Sequence, residues 1–284
     1  MSKNLKYLLL TKSVGCALNI LGLILPKKAA ELGYRLHSEP RVGKLRTEQL
    51  PDILENSIKS SFELEGVLYQ SYKWQGNSEI ILLVHGWESN SSRWELLLPF
   101  LIKTGKTIVA IDAPAHGLSG GKSFSVPKYA KIIDDICQKI NPNYLIGHSI
   151  GGAACVFYQY KHQNANLKKM VILGAPSDLQ VLINNFCILL GLNVKVKKYL
   201  TVEFAKQVDF PVENFSAINF GKEIKIPAMV VHDTSDGVVA FEESQKIIKH
   251  LENVTFLQTE NLGHSLHDDK LYQQIADFIL SKNL

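Results

Sequence analysis

From residue 80 onwards, short apolar runs alternate with longer segments of helical periodicity, and this alternation constrains the fold more than any other feature of the chain. The runs at 80–84, 107–111 and 144–146 are almost entirely apolar, as strands buried on both faces of a sheet are. Strands that alternate with helices form a mostly parallel sheet. We therefore predict an α/β fold with a mostly parallel central β-sheet flanked by helices.

The alternation extends over most of the chain but breaks once. Further strands are predicted at 62–64, 67–74, 170–173, 228–231 and 254–257, and helices at 96–103, 129–140, 151–162, 241–251 and 269–280. Between about 178 and 225 the sequence is helical in character without clear strands. The predicted domains are an N-terminal helical extension at 1–58, a core at 59–176 and 226–284, and an inserted helical cap at 177–225.

Composition agrees with a globular protein and argues against several classes of function. The 284 residues are 46% hydrophobic and 20% charged, enough for one large domain with an insertion. The net charge is +4, but the basic residues are scattered, so we expect no nucleic-acid partner. The four cysteines form no C-x-x-C, so the sequence suggests no zinc or redox motif. We expect no metal and no cofactor. Their apolar neighbours predict buried, reduced thiols and a cytoplasmic location.

The apolar segment at 8–25 has three interpretations. Polar residues interrupt it, which makes it a poor membrane span. Five side chains share one face of a helix: Leu10, Val14, Leu18, Leu21 and Leu25. The segment is either a helix packed on its own domain, an interfacial helix in peripheral contact with a membrane, or a signal sequence that lacks a typical cleavage site.

Residues 147–151 match the pattern G-x-S-x-G, between a predicted strand and a predicted helix. In that setting the turn projects a serine hydroxyl beyond the edge of the sheet, which makes Ser149 a candidate nucleophile. Gly147 and Gly151 are needed because side chains there would collide with the tight turn and its neighbours. The amide of Ile150, at the start of the helix, can stabilise an oxyanion.

Two other loops follow predicted strands. His85 and Gly86 come directly after the strand at 80–84, where Gly86 lets the loop pass close and Trp87 can offer a second backbone donor to the oxyanion. A plain turn with a buried histidine is the alternative. Asp112 and His116 follow the next strand, and we expect them to hydrogen-bond neighbouring loops without taking part in the chemistry.

The loops at 85–87, 112–119 and 147–152 resemble, in this order, three motifs of the α/β-hydrolase family. The resemblance extends from about residue 62 to the end of the chain. It implies an acidic residue after a late strand and a histidine after the next strand.

Both implied residues have candidates. After the strand at 228–231 the sequence resembles H-G-x-x-D-x-x-V, which places the acid at Asp236. Asp233 stands where glycine is usual and is the second candidate. After the following strand the sequence resembles G-x-G-H, which makes His264 the base, with His267 as the alternative. The chain order of nucleophile, acid and base is the one expected for this fold.

These residues predict a serine hydrolase that cleaves a carboxylic ester through an acyl-enzyme on Ser149. Serine in this place separates the chain from the family's haloalkane dehalogenases and epoxide hydrolases, which use aspartate. The apolar insertion favours a small-molecule ester with an apolar acyl or alcohol part, although part of it must pack on the protein. The alternatives are a thioesterase or serine peptidase with the same triad, and a non-catalytic binding protein of this fold.

Overall fold

The computed structural model describes residues 3–208 and 211–281, with side chains from residue 7 onwards. The ends of the predicted domains at 1–2 and 282–284, and residues 209–210 of the predicted cap, lie outside the described residues. Within the described part of the chain eight strands form one sheet: β1 Ile58–Leu64, β2 Val67–Trp74, β3 Ile80–Val84, β4 Thr107–Ile111, β5 Tyr144–His148, β6 Lys169–Leu173, β7 Ala228–Asp233 and β8 Val254–Thr259.

The sheet is mostly parallel, as predicted. Its strand order is β1-β2-β4-β3-β5-β6-β7-β8. The strands from β4 to β8 in this order are parallel to their neighbours, whereas β1 pairs with β2, and β2 with β4, in antiparallel fashion. The carboxyl ends of the parallel strands therefore share one edge, where loops from different strands can meet.

The helices have the bounds α1 Lys3–Ile24, α2 Pro26–Ser38, α3 Asp52–Glu55, α4 Leu98–Ile102, α5 Val126–Ile140, α6 Ile150–His162, α7 Leu179–Leu190, α8 Val194–Ala205, α9 Ala217–Phe220, α10 Glu242–Ile248 and α11 Asp269–Leu280. Two pairs of these helices cover opposite faces of the sheet. Helices α5 and α6 pack together, and α6 contacts the central strands. On the other face, side chains of α4 and α11 share a core with alternate residues of β3 to β7. Leu101 and Ile275 are helix residues of this core, and Ile146 and Val231 are strand residues.

Three boundaries differ from the prediction by three or more residues. Strand β1 begins at Ile58, four residues early, because its exposed polar residues hide the periodicity of an edge strand. Helix α5 begins at Val126 rather than at 129, since the Ser125 side chain accepts a hydrogen bond from the Lys128 amide and caps the helix. Helix α10 is shorter than predicted and ends at Ile248.

The chain divides into two compact units by its contacts. The first contains the described parts of Met1–Glu39 and Asp178–Ser216, and the second contains those of Pro40–Ser177 and Ala217–Leu284. The second unit holds the whole sheet. The division at 58, 176 and 225 that the sequence suggested stays a prediction.

The first unit is a helical assembly in which α1 packs against α2, α7 and α8. The buried residues of α1 are Thr11, Gly15, Leu18 and Gly22, spaced at four, three and four residues. Of the five apolar residues that the sequence places on one helix face, Leu10 and Leu25 are exposed, so this face is not the one that packs. The prediction of buried thiols was wrong for Cys16, which is exposed while the other three cysteines are buried. The packed face of α1 uses glycines, because small residues let neighbouring backbones approach closely.

Candidate active site

Ser149 occupies a sharp turn between β5, which ends at His148, and α6, which begins at Ile150. Its φ of 54° and ψ of −128° lie in a region that non-glycine residues rarely adopt, and such a conformation costs on the order of 1–3 kcal/mol. The Ser149 amide donates to the Leu173 carbonyl at 2.7 Å, which holds the turn against β6. The strand, turn and helix that the motif predicts are therefore present.

The two glycines of the motif lie where the structure has no room for a side chain. A Cβ atom at Gly147 would come within 2.6 Å of the Cα atom of Gly152. A Cβ atom at Gly151 would come within 2.3 Å of the His85 carbonyl oxygen and 2.4 Å of the Val84 carbonyl oxygen. Both distances are shorter than any normal contact, so Gly151 sets how closely α6 approaches the end of β3.

The structure brings Ser149, His264 and Asp236 into one hydrogen-bonded row. The Nε2 atom of His264 lies 3.0 Å from Ser149 Oγ, and its Nδ1 atom lies 2.7 Å from Asp236 Oδ2. A carboxylate can only accept, so Nδ1 carries the proton and the Nε2 lone pair faces the serine hydroxyl. In this tautomer the imidazole can take the proton of Ser149.

Asp236 is held as a carboxylate. Its side chain is fully buried, and burial alone would raise its pKa. Hydrogen bonds from His232 and His264, and from the amides of Val238 and Val239 to Oδ1, outweigh burial and place the pKa well below the usual value. The negative charge is thus available to stabilise an imidazolium at His264.

Asp233, the second candidate for the acid, lies in a different set of contacts. It accepts hydrogen bonds from the amide and hydroxyl of Ser235, from the Thr259 hydroxyl at 2.8 Å and from the Leu262 amide at 3.0 Å. Burial opposes these bonds, but they lower the pKa of Asp233 to about 2. Asp233 therefore ties the loop after β7 to the loop that carries His264.

His267, the alternative base, faces away from this row. Its Nδ1 atom lies 2.5 Å from the hydroxyl of Tyr272, and burial lowers its pKa. Of the two candidate histidines, only His264 contacts Ser149 in the described structure.

The loop after β3 abuts the nucleophile. A Cβ atom at Gly86 would lie 2.9 Å from the Cβ atom of Ser149, so glycine allows the approach that the sequence predicts. The Trp87 ring packs edge-on against His116 at 5.3 Å and Phe124 at 5.6 Å. The role of the Trp87 and Ile150 amides as oxyanion donors stays a prediction.

Two neutral histidines hold the loop after β3 in place by hydrogen bonds. His85 accepts from the Ala113 amide through Nε2 at 2.9 Å, and burial lowers its pKa to about 4. His116 accepts from the Glu88 amide at 3.0 Å, and burial again lowers the pKa to about 4. Each can accept only while its ring is neutral.

Asp112 joins the loop after β3 to neighbouring parts of the chain by hydrogen bonds. Its carboxylate accepts from the amide and hydroxyl of Ser91 at 2.9 and 2.7 Å, from the Tyr72 hydroxyl at 3.0 Å and from the Leu118 amide at 2.9 Å. Burial is the main influence on Asp112 and raises its pKa. The expectation that Asp112 and His116 hydrogen-bond neighbouring loops agrees with these contacts.

Two residues near the row escaped the sequence analysis. His148 donates from Nε2 to the carbonyl of His264 at 2.8 Å, and burial, with the nearby Arg93 cation, keeps its pKa well below the usual value. Arg93 donates to the carbonyl of Ser265 at 3.0 Å. Both hold the loop that carries the base, and their partners are backbone carbonyls, which no sequence motif marks.

Across residues 3–208 and 211–281, no group of three or more His, Cys, Asp or Glu side chains is placed to hold a metal ion.

Comparison with known proteins agrees with the geometry. Residues 79–186 match the family model described as the alpha/beta hydrolase fold. The chain is similar to a non-heme haloperoxidase of Rhodococcus erythropolis, at 30% identity over 114 residues, or 39% of this chain and 42% of the relative. It is also similar to a bifunctional esterase/perhydrolase of Acinetobacter calcoaceticus, at 29% identity over 37% of this chain and 40% of the relative.

These curated relatives are matched over less than half of their own length. Among solved structures, alpha/beta hydrolase domain-containing protein 10 from mouse superposes with a TM-score of 0.64 at 14% identity, covering 78% of this chain and 97% of the mouse chain. A sequence identity this low supports a shared fold and nothing more specific.

Proposed function

This chain has the α/β-hydrolase fold, and from that premise we propose that it is a serine hydrolase that cleaves carboxylic esters through an acyl-enzyme on Ser149. The observation that carries the proposal is the row of Ser149, His264 and Asp236, with distances of 3.0 and 2.7 Å between its polar atoms. The similarity to a protein named an esterase/perhydrolase favours an ester as the substrate.

In the first half of the reaction, Ser149 Oγ attacks the ester carbonyl while His264 Nε2 takes its proton. The tetrahedral oxyanion accepts hydrogen bonds from the amides of Ile150 and Trp87. The C–O bond to the alcohol then breaks, and His264 returns the proton to the leaving alkoxide. Asp236 holds the imidazole in the required tautomer and stabilises its positive charge.

In the second half, water takes the place of the alcohol. His264 removes a proton from water as the water oxygen attacks the acyl carbonyl, and the C–O bond to Ser149 breaks. The proton passes from His264 to Ser149 Oγ, and the carboxylic acid leaves. Atoms balance, since one water is consumed for each ester that yields one acid and one alcohol.

We propose that the acyl part of the substrate is apolar, because the sequence of the insertion is apolar. Burial of one methylene is worth roughly 0.8 kcal/mol. Four methylenes would raise kcat/KM by somewhat more than a hundredfold as an upper estimate, so hexanoyl esters should be cleaved faster than acetyl esters.

The proposal is tested by turnover of p-nitrophenyl esters from acetyl to hexanoyl, beside a thioester and a peptide p-nitroanilide of matched acyl group. Ester turnover should be fastest and should fall by on the order of 10⁶ in Ser149→Ala. The control is Ser60→Ala, an exposed serine of the edge strand β1, which should keep wild-type turnover.

Each other outcome has a definite meaning. Faster cleavage of the thioester or the anilide would replace the esterase assignment with that of a thioesterase or peptidase. Turnover that survives in Ser149→Ala, or no turnover at all by a folded wild-type chain, would contradict the serine mechanism. A preference for acetyl over every longer chain would contradict the apolar acyl part alone.

A further inference from the structure

Helix α1 leaves an apolar face without a partner in the described structure. Its packed face is the stripe of Thr11, Gly15, Leu18 and Gly22. At 100° per residue, Leu9, Ile20 and Ile24 project from the opposite side. Ile20 is 61% exposed and Ile24 is 82% exposed. A helix of a water-soluble protein ordinarily carries polar residues on such a face.

The packed stripe is fitted so closely that α1 cannot rotate to bury this apolar face. A Cβ atom at Gly15 would come within 1.8 Å of the Leu190 carbonyl oxygen, and one at Gly22 within 2.4 Å of Val196 Cγ2. Only glycine allows these approaches to α7 and α8. The orientation of α1 within the first unit is therefore defined, and its outer face stays exposed.

The corner between α7 and α8 extends the same apolar surface. Lys12 Nζ donates to the Ile188 carbonyl at 2.9 Å, and Lys195 Nζ donates to the Leu23 carbonyl at 3.0 Å, so the corner lies alongside α1. Ile188 is 72% exposed and Val194 is 85% exposed. We call these residues together the outer helical surface: Leu9, Ile20, Leu23, Ile24, Ile188 and Val194.

Positive charge is concentrated in the unit that carries this surface. The sequence of the first unit has ten Lys and Arg residues against six Asp and Glu residues, whereas the second unit has 21 of each. The whole net charge of +4 therefore belongs to the first unit. Exposed lysines with apolar neighbours are typical of helices that lie at the surface of anionic membranes.

We infer that the outer helical surface docks the protein in the plane of an anionic lipid bilayer. The apolar side chains enter the boundary between headgroups and acyl chains, and the lysines of the first unit face the lipid phosphates and carboxylates. A second copy of the chain is a poorer occupant, because a symmetric dimer through this surface would bring two units of like charge together.

In-plane docking fits α1 better than a span across the membrane. By length and composition Tyr7–Ile24 would suffice to cross a bilayer, but core helices and signal sequences meet the same measure. Asn19 donates to the Gly191 carbonyl at 2.9 Å and accepts from the Asn193 amide at 2.8 Å, while Lys12 binds the Ile188 carbonyl. A spanning α1 would lose these bonds and carry Lys12 and Asn19 into hydrocarbon.

Sedimentation of the full chain with vesicles tests this inference, and its readout does not depend on hydrolysis. Vesicles of phosphatidylcholine with about 30 mol % phosphatidylserine should bind the protein, whereas phosphatidylcholine alone should bind it much more weakly. Raising the salt from about 0.1 to about 0.5 M should release most of the bound protein. The Ser149→Ala chain should bind equally well, which separates this proposal from the serine mechanism.

Matched variants locate the binding surface. Leu23→Ser with Ile24→Ser should weaken binding at least tenfold, whereas Leu96→Ser with Ile102→Ser, which changes equally apolar exposed residues of the second unit, should not. For charge, Lys27→Gln with Lys198→Gln should weaken binding about fivefold per lysine. The charge control is Lys122→Gln with Lys249→Gln. Circular dichroism and thermal melts verify that each variant is folded.

Four results would overturn the inference. The first is equal binding of the protein to neutral and anionic vesicles, and the second is an equal loss of binding in the two pairs of apolar substitutions. The third is bound protein that alkaline carbonate does not extract from the vesicles, which would mean that α1 spans the membrane. The fourth is a dimer in solution that Leu23→Ser with Ile24→Ser dissociates, which would identify a second copy as the occupant.

Discussion

Replacing Gly151 by alanine probes how the start of α6 is placed against β3. The added Cβ would lie 2.3 Å from the His85 carbonyl oxygen and 2.4 Å from that of Val84, so the helix must retreat by about 1 Å to reach an ordinary contact. Such overpacking costs about 1–3 kcal/mol of unfolding free energy. A displacement of about 1 Å at a catalytic group can lower its rate about 10²-fold.

Two measurements follow the effect of Gly151→Ala. Urea unfolding, monitored by tryptophan fluorescence, gives the loss of stability, and the rate of labelling by a fluorophosphonate gives the reactivity of Ser149. Gly152→Ala should do less harm, because its Cβ would meet nothing closer than the Cβ atom of Ala175 at 3.0 Å. Gly237→Ala meets nothing within 4 Å and should change stability by no more than about 0.5–1 kcal/mol. Wild-type stability and labelling in Gly151→Ala would refute the close approach.

The remaining predictions concern the acid, the loop of the base and the buried histidines. Asp236→Asn should lower kcat by about 10⁴, because the imidazole of His264 is no longer held in the required tautomer. Asp233→Asn should act mainly on stability in urea. The reverse result would exchange the roles of the two residues. His148→Leu should lower kcat about tenfold or more and leave KM nearly unchanged, and His148→Gln should restore part of kcat. A loss of stability with no fall in kcat would mean that the role of His148 is purely structural. Because the folded-state pKa values of His85 and His116, about 4, lie below the unfolded value near 6.5, their stabilising effect is complete above pH 6.5 and is lost as the pH falls towards 4. The free energy of unfolding in urea should therefore fall between pH 7 and pH 5, by an upper estimate of roughly 2 kcal/mol for one imidazole. A free energy of unfolding that rises in this range would contradict the assigned neutral forms.

The parts of the site that the sequence predicts are those that have a fixed spacing around the ends of strands. Ser149 lies between a strand and a helix, and Asp236 and His264 each follow a strand, so parallel topology alone brings their loops to one edge. The choice of Asp236 over Asp233 came from the family pattern. The structure adds the reason that Asp233 bonds to the Leu262 amide and the Thr259 hydroxyl instead.

The parts that the sequence does not predict depend on backbone partners and on close packing. His148 and Arg93 bind carbonyl groups of the loop that carries His264, and any residue could supply those carbonyls. The packed face of α1 was misplaced because apolar periodicity ignores glycine. Gly15 and Gly22 carry no apolar side chain, yet they determine which face approaches its neighbours.

The central claim, that Ser149 is the nucleophile, is tested most directly by mass spectrometry of the protein after reaction with a fluorophosphonate. We expect one adduct per chain, located on the peptide that contains Ser149, and no adduct in folded Ser149→Ala. His264→Ala should slow formation of the adduct by several orders of magnitude, because no base then takes the serine proton. An adduct on a different residue, or undiminished labelling of Ser149→Ala, would contradict the account.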